Sequence, residues 1–284
     1  MFRDYFQVKL MSAIYTPTPD YERRFGGLQR LYGPEGLQKL AAAHVVVAGI
    51  GGVGTWCAEA LARSGVGTIT LADLDHISES NINRQLHAVT DTIGQSKVVA
   101  MSQRIKSINP ECTVHTIDDF VTPENISELL DTATDVVIDC TDQVSAKIAM
   151  ILEGRERNVP VLVCGGAGGK TDPLTLRAGD LSVASHDALL ARLRNMLRRQ
   201  HRYPKASTPE GKRARRIPRM GVWALWFEQP VILPDQWTAA SGPGDAAGLQ
   251  GLSCAGYGSV VTVTASMGMA AANQAMALIM NKTD

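Results

Sequence analysis

Short apolar runs alternate with longer amphipathic segments from His44 to Cys164. The runs have the length of strands, and the segments between them carry apolar residues at helical spacing. The predicted strands are His44–Gly49, Thr68–Asp73, Thr113–Ile117, Asp135–Asp139 and Val159–Cys164, and the predicted helices are Gly52–Arg63, Gln95–Ile108, Pro123–Asp131 and Val144–Arg157. This alternation is typical of a parallel sheet. We therefore predict an α/β fold, a Rossmann-like, doubly wound, mostly parallel sheet with helices on both faces.

The pattern changes after Cys164, where a run of glycines interrupts it. The elements predicted beyond this point are a short alternating strand at Leu174–Ala178, a basic amphipathic helix at Asp187–Arg202, a strand at Val222–Phe227 and a closing helix at about residues 258–281. We therefore predict that a basic helical and loop region is inserted at about residues 185–220.

The N-terminal residues carry charges every few positions and two prolines, Pro17 and Pro19. They do not contain the apolar run of a signal peptide. We predict a flexible extension over residues 1–22 and a single domain over residues 23–284.

Residues 256–280 contain no charged side chain and exceed the roughly 20 residues that cross a bilayer. Their Gly, Ala, Ser and Thr content, with Asn273 and Gln274, makes them only mildly hydrophobic. A helix covered by a sheet has the same pattern. We favour a buried core helix over a membrane span, although apolar spacing alone does not separate the two.

Composition and charge are those of an ordinary globular protein. Of the 284 residues, 45% are hydrophobic and 20% charged, and 28 Lys and Arg balance 28 Asp and Glu. A neutral molecule has no overall field that draws it onto polyanions, so nucleic-acid affinity requires local clustering of charge. The scattered cysteines, five in number, form no Cys-x-x-Cys pair, which argues against a disulfide framework and a zinc site and favours the cytoplasm.

A glycine-rich turn follows the first predicted strand, where Gly49, Gly51, Gly52 and Gly54 lead into a helix. Such a turn lets the backbone approach a phosphate while the helix N-terminus supplies N–H donors. Asp73, at the end of the second predicted strand, is suited to accept hydrogen bonds from ribose hydroxyls. We therefore predict a bound nucleotide, but the glycines alone do not distinguish ATP from a nicotinamide dinucleotide.

Three segments beyond the turn carry further polar residues: Asp73–Gln85, Gly94–Lys97 and Asp139–Asp142. Together with the turn they resemble the ubiquitin-activating enzyme superfamily, which includes the adenylyltransferases of molybdopterin and thiamine sulfur transfer. The ATP-binding residues implied by this resemblance, besides the four glycines, are Asp73, Asp75, Asn81, Asn83, Arg84, Lys97 and Asp142.

The roles that the resemblance implies suit adenylation of a carboxylate. Asp73 would hold the ribose, Asn81, Arg84 and Lys97 would grip the triphosphate, and Asp142 would bind Mg²⁺. When a carboxylate attacks the α-phosphorus of ATP, negative charge builds on phosphate oxygens, and fixed cations stabilise it. Arg84, Lys97 and Asp142 are therefore the catalytic candidates, whereas hydride transfer has no such requirement.

Two features depart from the sulfur-transfer adenylyltransferases. Gly27 occupies the position where those enzymes carry an arginine that reaches the partner subunit's ATP, and Arg24 and Arg30 are the candidates to replace it. The zinc-binding cysteine pairs of those enzymes are absent, which leaves the region after Cys164 free for another role.

A cluster of basic residues extends from Arg192 to Arg219 and contains a single acid, Glu210. Such clusters bind nucleic-acid phosphates mainly by releasing counterions. The alternative is a solvated, flexible run of charge. The RNA-binding candidates are Arg198, Arg199, Arg202, Arg213, Arg215 and Arg216.

Nearly the whole chain resembles the tRNA threonylcarbamoyladenosine dehydratases. It shares with them the start at Arg24–Leu28, the glycine turn, an arginine-rich insertion without zinc and the segment Leu252–Ser259. The resemblance implies an ATP-binding adenylating domain whose substrate is a tRNA bearing threonylcarbamoyladenosine beside the anticodon. ATP, with Mg²⁺, would activate the threonyl carboxylate as an acyl-adenylate, and the carbamoyl group would close a ring with loss of AMP.

The same resemblance implies a homodimer and a link to a cysteine desulfurase and its sulfur-acceptor protein. Cys254, in a Gly- and Ser-rich loop, is a candidate functional thiol. Two other functions remain open: an adenylating activator of a sulfur-carrier or ubiquitin-like protein, and an NAD-dependent oxidoreductase. Preferential binding of NAD over ATP would favour the oxidoreductase.

Overall fold

The computed structural model describes residues 20–130, 133–205, 217–233 and 257–282. Its seven-stranded sheet has the order β3-β2-β1-β4-β5-β7-β6, and only β6 runs antiparallel to its neighbour, β7. The strands are β1 His44–Ala48, β2 Thr68–Ala72, β3 Thr113–Ile117, β4 Val136–Asp139, β5 Val161–Cys164, β6 Leu176–Asp180 and β7 Trp223–Phe227. Each predicted strand is therefore confirmed, with small shifts of its ends.

The helices of the described residues are α1 Tyr21–Ala42, α2 Gly54–Arg63, α3 Lys97–Ile108, α4 Ile126–Leu129, α5 Val144–Arg157, α6 Ala188–Gln200 and α7 Val261–Met280. The prediction for α4, Pro123–Asp131, was too long. The backbone N–H of Thr122 donates to the side chain of Asn125, which fixes a turn before the helix, and Leu130 is already extended. Asp131 lies outside the described residues.

Helix α1 was not predicted. It begins at Tyr21, inside the predicted extension 1–22, because the side chain of Asp20 accepts a hydrogen bond from the backbone N–H of Arg23 and caps it. Gly33, at a φ of 76°, and Pro34 kink the helix and interrupt the helical period. Residues 1–19 of the predicted extension lie outside the described residues.

The sheet is covered on both faces, as predicted. Alternate side chains of β1 enter opposite cores: Val47 packs in the core that contains residues of α1, α2, α3 and α7, and Val46 in the core that contains residues of α4 and α5. A third cluster joins α5 and α6 to β7. This is the doubly wound arrangement expected from alternating strands and helices.

Helix α7 is long and apolar enough to cross a membrane by length and composition, and it is the one such helix in the described residues. In the fold it packs closely on α2, since a Cβ at Gly268 would lie 2.4 Å from the carbonyl oxygen of Val53. Ala271, Ala272 and Ala275 are buried in the same core. These contacts support the interpretation as a core helix.

Candidate active site

A cavity of about 310 Å³ lies at the carboxyl edge of the sheet. It is lined from the ends of β3, β2, β1, β4 and β5 and so includes the position between β1 and β4 where the strand order reverses. Ligands of open α/β sheets bind at such a position. The predicted residues that line the cavity are Gly49, Gly51, Gly52, Asp73, Asp75, Asn81, Arg84, Lys97 and Asp142.

The glycines of the turn have different roles. Gly49 has a φ of 86°, which favours glycine, and a Cβ at Gly54 would lie 1.8 Å from the carbonyl oxygen of Gly49. Gly54 therefore serves the packing of α2 under the turn and does not line the cavity. A Cβ at Gly51 would meet no atom within 4 Å, so the backbone there is open to a phosphate.

Asp73 connects the turns that follow β1 and β2. Its carboxylate accepts hydrogen bonds from the backbone N–H of Ile50, at 2.6 Å, and of Asp75, at 2.9 Å. Burial raises the pKa of this carboxyl group, and the charge of Lys97 opposes that rise. The arrangement holds an acceptor at the position expected for ribose hydroxyls.

Lys97, the first residue of α3, places its ammonium group in the cavity wall. Its Nζ lies 2.6 Å from Asp75 Oδ2 and 3.7 Å from Asp73 Oδ1, and its side chain is only 7% exposed. A cation held at low exposure interacts with a phosphate more strongly than one in bulk water. The two carboxylates therefore hold a charge where a triphosphate would lie.

Arg84 is oriented by neighbouring backbone and side-chain oxygens. Its guanidinium donates to the carbonyl of Ser80, at 2.8 Å, and to Asn83 Oδ1, at 3.0 Å. The side-chain N–H of Asn83 in turn donates to the carbonyl of Ser259. Asn83 does not line the cavity, and its hydrogen bond to the guanidinium makes it a support for Arg84.

Asp142 follows β4 at the cavity wall, and a buried ion pair lies beside the turn that carries it. The Nζ of Lys147 lies 3.2 Å from Asp139 Oδ1, and both side chains have no exposed surface. The same carboxylate oxygen accepts hydrogen bonds from the backbone N–H and the hydroxyl of Thr141. This network fixes the turn that presents Asp142, and sequence reasoning missed Lys147.

The donor set suits Mg²⁺ bound together with a nucleotide. The described residues contain no cluster of three or more His, Cys, Asp or Glu that could hold a metal ion. Asp142 is exposed to the cavity, and within the described part of the chain its carboxylate has no ion-pair partner. Mg²⁺ is commonly bound by one or two carboxylates plus phosphate oxygens, and Asp142 provides one.

Several lining residues were not predicted. Phe120 and Val121 follow β3, Gly165–Gly168 follow β5, and Leu189 lies in the first turn of α6. Their positions depend on the order of the strands, which no local motif reveals. In the sequence, the glycine run after Cys164 indicates only a break in the pattern.

The predicted RNA-binding arginines that the structure describes divide into two groups. Arg199 and Arg202 are exposed, whereas Arg198 donates from its Nε to the carbonyl of Pro204. Arg213, Arg215 and Arg216 lie outside the described residues, as does Cys254.

Of the two candidates to replace the arginine missing at Gly27, Arg24 donates to the carbonyls of Ser107 and Ile108, and Arg30 is exposed.

Known proteins are similar to this chain in sequence and in fold. A model of the ThiF family matches residues 21–284. The chain belongs to the ThiF family. It is 42% identical over 264 residues to the tRNA threonylcarbamoyladenosine dehydratase of Haemophilus influenzae, and the match covers 93% of this chain and 95% of that protein. This ThiF family member is thus similar to a dehydratase along almost its whole length.

Solved structures agree with this relationship. The tRNA N6-threonylcarbamoyladenosine dehydratase of Escherichia coli in complex with ATP is 38% identical, with a TM-score of 0.77 over 91% of this chain and 94% of that chain. The resemblance to the dehydratases predicted from sequence is therefore confirmed. A sulfur carrier protein adenylyltransferase of Escherichia coli is 34% identical over 134 residues, but the match covers 47% of this chain and 53% of that protein.

Proposed function

We propose that this ThiF family member is an ATP-dependent tRNA threonylcarbamoyladenosine dehydratase. It would adenylate the threonyl carboxylate and then allow the carbamoyl group to close a ring, so that the modified adenosine loses one water. The observation that carries the proposal is the joint presence of Arg84, Lys97 and Asp142 around a glycine turn in one cavity. The similarity to dehydratases over almost the full chain supports the substrate.

Each residue has a role in the first half-reaction. Asp73 would accept hydrogen bonds from the ribose, and Asn81, Arg84 and Lys97 would bind the phosphates. A carboxylate oxygen attacks the α-phosphorus, pyrophosphate leaves, and the charge that develops on the phosphate oxygens is stabilised by Arg84 and Lys97. Mg²⁺, which Asp142 would hold, supplies further stabilisation of that charge when bound.

The second half-reaction is intramolecular. The carbamoyl group attacks the activated carbonyl, and AMP leaves with the oxygen that the carboxylate has lost. Holding both groups in one bound substrate replaces a second bimolecular encounter, so the protein's task is to position them and to exclude water. A thiol at Cys254 could act as an intermediate nucleophile, although the scheme does not require one.

The proposal includes partners that rest on the family resemblance alone. These are a tRNA held by the basic region, a homodimer, and contact with a cysteine desulfurase and its sulfur-acceptor protein in the cytoplasm. For a dimer, the exposed Arg30 is the candidate to reach the ATP of the second subunit, because Arg24 is bonded to the C-terminal carbonyls of α3.

Nucleoside mass spectrometry of tRNA incubated with the protein and Mg²⁺–ATP tests the proposal. We expect the modified adenosine to lose the mass of one water in an ATP-dependent manner. Asp142→Ala should abolish AMP formation and leave tRNA binding nearly intact, because Asp142 lies in the cavity and not on the basic helix. Adenylation of a sulfur-carrier protein without any change in tRNA would favour the alternative activator function.

A further inference from the structure

The two ends of the cavity differ in chemistry. Its lining follows the sheet from the turn after β3, through β2, β1 and β4, to the glycine loop after β5. Neighbouring strands lie about 4.8 Å apart, so five strand ends span roughly 19 Å. Charged residues line the cavity along the turns after β3, β2 and β4 and in the segment 81–97, whereas Gly165–Gly168 and Leu189 line the β5 end.

A nucleotide accounts for only part of this span. Asp73 would hold the ribose at the end of β2, and the glycine turn at β1 would receive the phosphates. Phe120 offers an apolar surface for a base beyond Asp73, at β3. The carboxylate that attacks the α-phosphorus must approach from the side that the nucleotide leaves free. That side is the β5 end. Its lining lacks charged side chains and therefore suits the neutral, planar base of the substrate, while the carboxylate attached to that base would face the nucleotide.

We propose that Gly165–Gly168 and Leu189 form the subsite for the modified nucleoside of the RNA, and that the size of residue 166 determines whether the nucleoside enters. A Cβ at Gly166 would meet only Asp187 Oδ2, at 4.0 Å, so space is open beside the backbone. This subsite rests on the proposed function, because it receives the carboxylate-bearing nucleoside of that reaction.

The subsite is joined directly to the basic helix. Asp187, which is buried, accepts hydrogen bonds at 2.8 Å from the backbone N–H of Gly166 and, through its other oxygen, from that of Leu190 in the first turn of α6. The 13 residues of α6 extend about 20 Å from this point. The exposed arginines of α6, Arg192 and Arg199, therefore lie at increasing distance from the subsite. RNA phosphates that flank the bound nucleoside would lie along this helix.

Two matched substitutions test the subsite, because Gly51 and Gly166 line opposite parts of the same cavity and both have open space beside them. Gly51→Leu should abolish binding of a non-hydrolysable ATP analogue, measured by calorimetry. Gly166→Leu should leave that binding unchanged, which also shows that the variant folds. Its kcat/KM for tRNA in the mass-spectrometric assay should fall by at least roughly 10-fold, because even one methylene of misfit in a binding pocket costs roughly 10- to 200-fold.

A competition experiment separates the subsite from general RNA affinity. The free nucleoside threonylcarbamoyladenosine should inhibit the wild-type enzyme competitively against tRNA and should not inhibit Gly166→Leu. Leu189→Ala should raise the KM for tRNA and leave the KM for ATP unchanged. The subsite is wrong if Gly166→Leu keeps wild-type activity on tRNA or loses ATP binding. If the wild-type protein dehydrates no tRNA, the proposed function itself fails and the subsite with it.

Discussion

The charge of Lys97 is the residue-level feature on which the nucleotide chemistry depends most. Its ammonium group is nearly buried and is held between Asp73 and Asp75, in the cavity that the glycine turn also lines. Phosphate oxygens could replace one of these carboxylates as its partner without moving the group far. Burial of a flexible lysine is costly unless its charge is paired, and the two carboxylates provide that pairing.

We expect Lys97→Met to reduce tRNA-dependent AMP formation by about 10²- to 10³-fold, the usual cost of removing one donor that stabilises transition-state charge. Lys106→Met is the matched control, since Lys106 lies in the last turn of the same helix and is exposed. The measurement is the rate of AMP release at saturating tRNA. Equal rates for the two variants would show that Lys97 has no part in adenylation.

His87 makes stability depend on pH. Its Nε2 lies 3.2 Å from the carbonyl oxygen of Ile50, and burial lowers its pKa from 6.5 to about 4. Because the pKa of His87 is lower in the folded protein than in the unfolded chain, the unfolded chain binds more protons between pH 6.5 and about 4. The free energy of unfolding that His87 contributes above pH 6.5 is therefore lost as the pH falls towards 4. The loss approaches about 3 kcal/mol, at about 1.4 kcal/mol per pKa unit.

His87→Gln removes the titrating group and should remove this pH dependence. We expect the free energy of unfolding of the wild-type protein, minus that of the variant, to decrease steadily from pH 7 to pH 4 in urea titrations. Subtracting the variant cancels the carboxyl groups that titrate over the same range. A difference that stays constant with pH would mean that His87 takes up its proton in the folded protein as easily as in the unfolded chain.

Single residues also show where sequence reasoning ends. Lys97 and Asp142 could be predicted because they stand in runs that resemble a known superfamily. Lys147 could not, because a lysine in an amphipathic helix is normally solvated. The available signal was its spacing, since Lys147 falls on the stripe formed by Val144 and Ile151, both buried.

At the level of elements, some arginines of α6 are bonded to backbone carbonyls and others are exposed to solvent. The guanidinium of Arg194 donates to the carbonyls of Leu181, at 3.2 Å, and Ala184, at 2.7 Å, and so ties the helix to the segment before it. Arg192 and Arg199 are exposed instead. Exposed arginines on one helix are free to contact phosphates, whereas an arginine bonded to backbone carbonyls contributes mainly to the fold.

The double variant Arg192→Gln with Arg199→Gln should weaken tRNA binding and reduce the slope of log affinity against log salt by about one for each phosphate that it no longer neutralises. Its unfolding midpoint should stay unchanged. Arg194→Gln is the control, and it should lower the midpoint and leave the salt slope as in the wild type. Binding titrations at several salt concentrations, with thermal unfolding of each variant, provide both readouts. A wild-type slope in the double variant would place the RNA surface elsewhere.

Elements were predictable where the hydrophobic period is long and uninterrupted. The strands β1 and β2 and the helices α5 and α7 follow such periods, and their positions were predicted to within a few residues. Helix α1 was not predicted because Gly33 and Pro34 interrupt its helical period. Its stability comes from tertiary burial of Phe25 and Leu40. Local propensity carries no information on such burial.

At the scale of the whole molecule, the strand order determines which turns meet. Residues far apart in sequence, such as Phe120 after β3 and Gly166 after β5, line one cavity because the order is β3-β2-β1-β4-β5. The sequence predicted the fold class but not this strand order. It therefore predicted the residues of the site near the glycine turn and not those at the β5 end. A nucleotide bound at the reversal of strand order would contact turns from both halves of the sheet.

Bound nucleotide should therefore stabilise the entire domain. At a concentration of 100 times its Kd, a ligand that binds only the folded state contributes about 2.7 kcal/mol. For a chain of this size that corresponds to a rise in the unfolding midpoint of roughly 4–5 °C. We expect this rise with Mg²⁺–ATP in differential scanning calorimetry, and no rise with NAD at the same concentration, because Arg84 and Lys97 surround the space for a triphosphate. Lys97→Met should lose the response to ATP, and an equal rise with NAD would instead favour a dinucleotide-binding site.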